Sequence, residues 1–354
     1  MMVNAKDIAR IAGVSRSTVS RVVNKYTNVP DETRRKVLKA VKEHGYVPHA
    51  PARLLAGSTN RVIGMYVESR FKRGYTPVSS SLYFAAFATA VIDHANRLGY
   101  NLLVAQHIDS ESFFKFRDLL SSKAIVAGII LLPNDDDPRI LQLTKQGFVL
   151  SLVDYQPLGK KIAASNLVIA NFDNIDGSSQ AVRALHALGH RKIAHITGEL
   201  RLYSAKQRLI GYRKAMAELG LDPTEESIAS GDFSTDGGKE AALALLSRPE
   251  PPTAIFAAND ESALGVYEAA AEKKIRIPQD LSVVGFDNID MARNMHPGLT
   301  TIGTDLKRMA ALVTENLIAA VEKDSAANFD IELPVSIVER GSCRKIAERQ
   351  IQSA

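Results

Sequence analysis

The sequence lacks the features that mark disulfide-bonded, membrane-spanning and exported proteins. Its 354 residues include one cysteine, Cys343, which excludes an internal disulfide and a cysteine metal cluster. No apolar run reaches the roughly 18 residues that a transmembrane helix needs. The N-terminal residues have neither the apolar core nor the cleavage site of a secretory signal. These absences predict a cytoplasmic protein that has no membrane partner.

Motifs of catalysis and of nucleotide binding are also missing. The spacing of His186, His190 and His195 fits neither HExxH nor a Ser–His–Asp order. No GxxxxGK[ST] is present, and no GxGxxG opens a helix in the body of the chain. We therefore expect no enzyme activity, no cofactor and no metal site.

Positive charge is concentrated at the N-terminus. Residues 1–60 contain eleven Lys or Arg and four Asp or Glu, so that they carry +7, whereas the rest of the chain carries −2. A small basic head on a near-neutral body is typical of a nucleic-acid binder, although a solvated Lys-rich surface has the same composition.

Residues 5–24 have the pattern of a helix-turn-helix. The first helix has an apolar face made of Ile8, Ala9, Ile11 and Ala12. Gly13 suits the left-handed turn that ends this helix, and Ser15 suits the N-cap of the next one. The second helix of such a pair enters the DNA major groove. In this sequence it places Val19, Val22 and Val23 on the side that faces the interior of the domain.

The outward side chains of the second helix suit contacts with DNA. Arginine binds guanine through two hydrogen bonds, and Ser or Thr reaches phosphates and base edges. The predicted contacts in and just after this helix are Arg16, Ser17, Thr18, Ser20, Arg21 and Asn24.

A third helix is predicted from Asp31 to His44, with Gly45 at its end. We expect it to bury Val37, Leu38 and Val41. Its basic residues suit either phosphate contacts or a solvated face: Arg34, Arg35 and Lys36.

Three segments together resemble the LacI/GalR family of transcriptional regulators: KDIARIAGVSRSTVSRVVN, ETRRKVLKAVKEHGYVP and ARLLAG. The resemblance continues to about Gly341. It implies a hinge helix, here 51–56, that folds when two subunits meet on a near-palindromic operator. By this resemblance Leu55 wedges into the minor groove, and His49 contacts DNA where the family usually has asparagine. Leu54 stands where a polar residue is common, and either leucine also suits hinge packing.

From Arg61 onward, short apolar runs alternate with amphipathic stretches. Such a pattern predicts an α/β fold with parallel sheets and with ligands at the carboxyl ends of the strands. The predicted strands are 62–67, 101–106, 128–133, 148–154, 192–198, 253–260 and 281–287.

The resemblance implies an all-α helix-turn-helix domain at 1–47, a hinge and linker at 48–60, and an effector-binding and dimerisation domain at 61–345. That last domain resembles a type I periplasmic binding protein, with two lobes joined by three crossovers. The crossovers are expected near 168–172, 302–305 and 329–331. The N-lobe then comprises 61–170 and 304–330, and the C-lobe comprises 171–303 and 331–345.

Several residues coincide with positions that line the effector pocket in this family. An arginine fork and carboxylates can bracket hydroxyl groups, and an aromatic face can cover one side of a ring. The predicted effector contacts are Arg208, Phe233, Asn259, Asp287, Asp173, Asp154 and Phe172. Phe233 also suits a core position, Asp173 also suits a cap or turn, and Asp260 is expected to cap a helix that begins at Glu261.

The stretch 68–84 is longer than the family pattern. Tyr83 or Phe84 is in reach of the ligand. The basic residues of the stretch suit either an anionic ligand or a solvated loop: Arg70, Lys72 and Arg73.

These features predict a homodimeric repressor of carbohydrate-utilisation genes, controlled by a sugar-like effector between the lobes. The C-terminal RKIAERQIQSA is too short for the heptads of a tetramerising coiled coil, which favours a dimer. Induction is the commoner mode in the family, and corepression stays open. A carbohydrate receptor would need export and no basic head, and an architectural DNA-binding protein would need a degraded pocket.

Overall fold

A computed structural model describes residues 3–23, 26–46, 60–68, 70–71, 74–75, 81–109, 111–133, 137–156, 166–323 and 327–346. The chain forms two compact units, a head unit (Met1–Arg61) and a body unit (Val62–Ala354). Each unit has its own apolar core. In the part of the chain so described, no helix combines the length and apolar character that a bilayer crossing requires.

The head unit contains three helices, α1 (Ala5–Ala12), α2 (Arg16–Val23) and α3 (Asp31–Glu43). Gly13 ends α1 with a φ of 65°, in the left-handed region that favours glycine. The Ser15 hydroxyl oxygen accepts a hydrogen bond from the Thr18 N–H at 3.1 Å and so caps α2. These local signals place the two helices of the predicted helix-turn-helix.

The core of the head unit is narrower than the sequence predicts. Ile8, Val19, Val22 and Val37 are buried, whereas Ile11 is 44% exposed and Leu38 is 48% exposed. Successive residues of a helix lie about 100° apart, so only a narrow stripe of each short helix faces its two partners. Ile11 and Leu38 lie beside that stripe, and the expectation that they join the apolar face was wrong.

One lobe of the body unit is built on a six-stranded parallel sheet with the order β13–β7–β6–β5–β1–β4. Its strands are β1 (Val62–Val67), β4 (Asn101–Gln106), β5 (Gly128–Leu131), β6 (Leu150–Val153), β7 (Asn166–Phe172) and β13 (Ala327–Leu333). The helices of this N-lobe are α4 (Leu82–Arg97), α5 (Ser112–Ser121), α6 (Pro138–Lys145) and α12 (Leu306–Lys323). A short hairpin, β2 (Arg70–Phe71) and β3 (Gly74–Tyr75), precedes α4.

The other lobe, the C-lobe, has a second six-stranded sheet with the order β14–β12–β11–β10–β8–β9. Its strands are β8 (Ile193–Ile196), β9 (Ile228–Ala229), β10 (Ala254–Ala257), β11 (Ser282–Asp287), β12 (Thr300–Gly303) and β14 (Ser336–Val338). All are parallel except β14, which pairs with β12 in the antiparallel direction. Its helices are α7 (Asn174–Ala187), α8 (Tyr203–Glu218), α9 (Thr235–Leu246), α10 (Asp260–Glu272) and α11 (Asp290–Asn294), and a 3-10 turn covers Glu225–Ser227.

The chain crosses between the lobes between β7 and α7, between β12 and α12, and between β13 and β14. The third crossing therefore lies between Leu333 and Ser336 and not near 329–331. Residues 329–331 are the middle of β13, which pairs with β7 along its whole length. The expected lobe boundaries at 170/171 and 330/331 fall inside these two strands, because the apolar pattern shows a strand without showing where it ends.

Candidate functional site

A cavity of about 360 Å³ lies between the lobes, where the carboxyl ends of strands from both sheets face each other. Side chains from both lobes line it. They include Ser81, Tyr83, Phe84, Asp154, Asn171, Phe172, Asn174, Ser204, Arg208, Asp232, Phe233, Asn259, Glu261, Asp287 and Met309. This volume suits a small ring-shaped molecule.

Arg208, on α8, is the central cation of the cavity. Its Nε donates to the Asn174 Oδ1 at 2.9 Å, its Nη1 donates to the Ala258 carbonyl, and its Nη2 donates to the Asp287 Oδ1 at 3.3 Å. The Cζ atom lies 3.7 Å from the centre of the Phe286 ring. The side chain is buried, and these contacts fix the plane of the guanidinium.

Asp287 ends β11 and is buried beside Arg208. Its φ of 104° is unusual for a residue with a side chain, and such strained positions concentrate at functional sites. Burial raises the pKa of Asp287 to about 7, although the Arg208 guanidinium opposes this rise. The negative charges of Glu261 and Asp154 contribute to this rise, and about 7 is the value that results from all these causes. Asp287 therefore titrates near neutral pH.

Asp154 brings the lobes into contact on one side of the cavity. It follows β6 of the N-lobe, has a φ of 62°, and its Oδ2 accepts a hydrogen bond from the Ser204 hydroxyl of α8 at 2.8 Å. Tyr83, near the start of α4, lies by both acids. Burial raises the pKa of its phenol, and the charges of Asp287 and Asp154 raise it further. Polar groups of both lobes thus meet at the cavity.

Phe233 presents an aromatic ring to the cavity from the C-lobe. Its φ is 68°, and its ring packs so closely on Gly198 that a Cβ at that position would overlap it. The Asn259 Nδ2 donates to the Phe233 carbonyl at 2.9 Å and holds this segment in place. The ring centre lies 5.6 Å from the Arg208 Cζ, so the ring and the guanidinium share one wall of the cavity.

Six of the seven predicted effector contacts line this cavity: Arg208, Phe233, Asn259, Asp287, Asp154 and Phe172. Asp173 does not line it, because its carboxylate caps α7 by accepting the Asp176 N–H at 2.9 Å. The predicted helix cap at Asp260 was wrong by one residue, since the Asn259 Oδ1 accepts the Ser262 N–H. Asp260 is instead buried and accepts from the Thr301 hydroxyl and the Ile289 N–H.

Sequence reasoning missed several polar residues of the cavity. Asn174, Ser204 and Glu261 each lie in the first turn of a helix that follows a strand. That position at a strand–helix junction was the signal that could have identified them. Tyr83 and Phe84 both line the cavity, as the sequence allowed for either.

The raised pKa of Asp287 predicts that stability depends on pH. Between the ordinary pKa of 3.8 and about 7, the folded protein holds a proton that the unfolded chain has lost. The free energy of unfolding is therefore expected to fall as pH rises across this window. Asp287→Asn removes this contribution and should give a flatter profile in urea unfolding followed by circular dichroism. Parallel profiles for the variant and the wild type would contradict the assignment.

The head unit presents the second candidate site. Arg16, Ser17, Ser20 and Arg21 are exposed on α2, opposite the buried Val19 and Val22. Thr18 is half-buried, and its hydroxyl lies 2.8 Å from that of Ser15, which ties it to the cap. The other predicted contacts, Asn24, His49 and Leu55, lie outside the described residues.

Each unit of the chain contains a segment that matches a known protein family. Residues 4–49 match the bacterial regulatory proteins of the lacI family, and residues 182–343 match the periplasmic binding protein-like domain. The HTH-type transcriptional repressor PurR of Mannheimia succiniciproducens is 33% identical over 348 residues, which are 98% of this chain and 100% of that protein. The chain belongs to the LacI family. The PurR repressor of Pasteurella multocida is 34% identical over 97% of this chain and 99% of its own.

Solved structures of transcriptional regulators share the fold. The Lac repressor dimer bound to operator and the anti-inducer ONPF has a TM-score of 0.83 and 29% identity, over 97% of this chain and 100% of that one. The complex of the regulator CelR with cellobiose has a TM-score of 0.72 and 26% identity, over 96% and 99%. The predicted α/β fold with a helical head is confirmed. This LacI-family chain is a DNA-binding transcriptional repressor and, like its relatives, not an enzyme.

Proposed function

We propose that this repressor binds a small sugar-like molecule between its lobes, and that the molecule controls how tightly a homodimer holds a near-palindromic operator. Its target genes would serve carbohydrate utilisation. The observation that carries the proposal is the arrangement of Arg208, Asp287 and Phe233 around the cavity between the lobes. Carboxylate and guanidinium groups bind hydroxyl groups from the side, and the ring covers a sugar face.

The charge of the cavity favours a ligand that is not an anion. Its carboxylates are Asp154, Asp232, Asp236, Glu261 and Asp287, and the cation among the described lining residues is Arg208. The hydrogen bonds of Arg208 to Asn174, Ala258 and Asp287 already occupy three of its five N–H donors, which leaves two for a ligand. A uronate or a sugar phosphate would place a further negative charge beside these carboxylates and is therefore disfavoured.

Relatives support the two parts of this proposal to different extents. CelR forms a complex with cellobiose, and the Lac repressor is bound to operator and to an anti-inducer. These proteins support a small-molecule ligand for a chain of this fold and, through the Lac repressor, a dimer on DNA. The PurR repressors support the regulatory role and not the ligand class.

A thermal-shift panel on the full chain tests the ligand proposal, using neutral mono- and disaccharides, uronates, sugar phosphates and nucleobases. A ligand at about 100 times its Kd adds roughly 2.7 kcal/mol to the folded state and raises the Tm by a few degrees. We expect a selective shift with a neutral sugar. A selective shift with a nucleobase would overturn the sugar-like class, and the absence of any shift with the neutral sugars would contradict it as well.

The α2 helix should determine which DNA sequence is bound. Arg21→Ala is expected to weaken binding to an operator selected from random DNA by about 1–3 kcal/mol, because an arginine contact to a base is lost. Fluorescence anisotropy with the selected operator and with a scrambled duplex measures both affinities.

Lys39→Ala is the matched control for charge, since Lys39 lies on α3, exposed and paired with Glu43 at 3.8 Å. It removes the same charge away from α2, so it should leave the preference for the operator unchanged. Equal losses on both duplexes for both variants would remove Arg21 from base recognition.

A further inference from the structure

A carboxylate of each lobe reaches the first turn of a helix in the other lobe. On one side of the cavity, Asp154 of the N-lobe accepts from Ser204 of α8. On another, Glu261 of α10 in the C-lobe accepts from two groups at the start of α4 in the N-lobe. The Glu261 Oε2 accepts from the Ser81 hydroxyl at 3.1 Å, and the Oε1 accepts from the Leu82 N–H at 3.0 Å.

The start of α4 needs an acceptor from outside the helix. The first N–H groups of a helix have no partner within it and carry a partial positive charge. Ser81 is the N-cap of α4, yet its hydroxyl oxygen lies 3.5 Å from the Phe84 N–H, at the limit of a hydrogen bond. Glu261 supplies a charged acceptor across the cleft, from a position 179 residues away from Leu82 in the chain.

The contact depends on the position of the lobes, because Glu261 belongs to one lobe and its two donors belong to the other. Ser81 is buried, and burial raises the pKa of Glu261 while its bonds to Leu82 and Ser81 oppose the rise. If the lobes part, both oxygens of Glu261 lose these donors and regain water. Separation of the lobes would therefore break this contact.

Tyr83 and Phe84 follow directly in the same helical turn, and both line the cavity. The position of this turn therefore sets the part of the cavity wall that α4 supplies. Glu261 also lines the cavity, but both its oxygens are bonded to the start of α4, so its effect on this part of the wall is exerted through that turn.

We propose that Glu261 is a positioning residue that latches the C-lobe to the start of α4 and so fixes the aromatic wall formed by Tyr83 and Phe84. Its effect on a ligand rests on the proposed function, whereas the latch itself is a property of the protein alone. A latch differs from a local helix cap in one respect. Loss of the latch should weaken the contact between Asp154 and Ser204 as well as the start of α4, whereas loss of a cap should affect α4 alone.

Hydrogen exchange of the full chain without any ligand tests the latch, read by mass spectrometry over the first turns of α4 and α8. Glu261→Ala should speed exchange in the first turn of α4 at least tenfold, since the Leu82 N–H loses its acceptor. It should also speed exchange around Ser204 on α8, because the lobes part more often. Glu261→Gln keeps one oxygen acceptor and should restore part of the protection.

Glu268→Gln is the matched control, since Glu268 also lies on α10 but pairs with Lys239 at 3.7 Å near the surface. It should leave both turns unchanged. Ser81→Ala combined with Glu261→Ala should leave exchange around Ser204 no faster than Glu261→Ala alone, because the two residues join the lobes through one contact.

Unchanged exchange in α4 of Glu261→Ala would overturn the latch. Faster exchange in α4 alone, with α8 unchanged, would reduce Glu261 to a local cap and would also overturn it. Neither result depends on the thermal-shift panel, so failure of the latch and failure of the sugar-like ligand remain distinguishable.

Discussion

Above about pH 7, where Asp287 is charged, Arg208→Met is expected to destabilise the body unit by about 3–5 kcal/mol, the usual cost of removing one partner of a buried ion pair. Methionine keeps the length of the side chain but leaves Asn174, the Ala258 carbonyl and Asp287 without their shared donor. Urea unfolding followed by circular dichroism measures the loss. The variant should also lose the response of operator binding to any ligand that stabilises the wild type.

Arg213→Met is the matched control on the same helix. Arg213 is 45% exposed and pairs with Glu225, which is 83% exposed, so this substitution should cost less than about 1 kcal/mol. Equal destabilisation by the two substitutions would show that Arg208 has no special place in the cavity.

Gly198→Ala is expected to reduce ligand affinity by at least about tenfold, or 1.4 kcal/mol, while the protein stays folded. The added methyl group occupies the space of the Phe233 ring. Phe233 lines the cavity, and the Asn259 side chain holds its backbone by donating to the Phe233 carbonyl. The ring must therefore move, and its position forms part of the wall against which the ligand is proposed to bind. Titration with the panel compound that stabilises the wild type, followed by calorimetry, measures the change.

The same substitution in a Phe233→Leu background separates this mechanism from a general disturbance. Leucine is smaller and leaves room for the methyl group, so Gly198→Ala should have little further effect there. Additive losses in the double variant would mean that Gly198 acts by another route.

Local signals predicted the elements of this fold well. Gly13 and Ser15 mark a turn and a cap that depend only on neighbouring residues, and the structure has both. The seven predicted strands are also present, since a buried parallel strand needs an apolar run. The ends of the strands were predicted less accurately: the strand predicted at 128–133 is two residues longer than β5, which covers Gly128–Leu131.

Features that depend on tertiary packing, such as which apolar side chains are exposed, were harder to predict from the sequence. Ile11 and Leu38 are apolar, and only the packing of three helices decides that they stay exposed. Glu261 has no local motif, because its partners Ser81 and Leu82 lie far away in the chain. The residue-by-residue resemblance identified Arg208 and Asp287 as residues of the cavity. It could not show that the Asp173 carboxylate caps α7 instead of lining the cavity.

The order of the strands has a consequence for synthesis of the protein on the ribosome. The N-lobe sheet is completed by β13, and β14 completes the C-lobe sheet, so both wait for residues 327–338. Until that segment has emerged, β7 and β12 each lack a neighbour, and an unpaired strand edge invites pairing with other chains. Contacts so distant in sequence also slow folding. Nascent chains that stop before residue 327 should therefore be the forms most prone to aggregation.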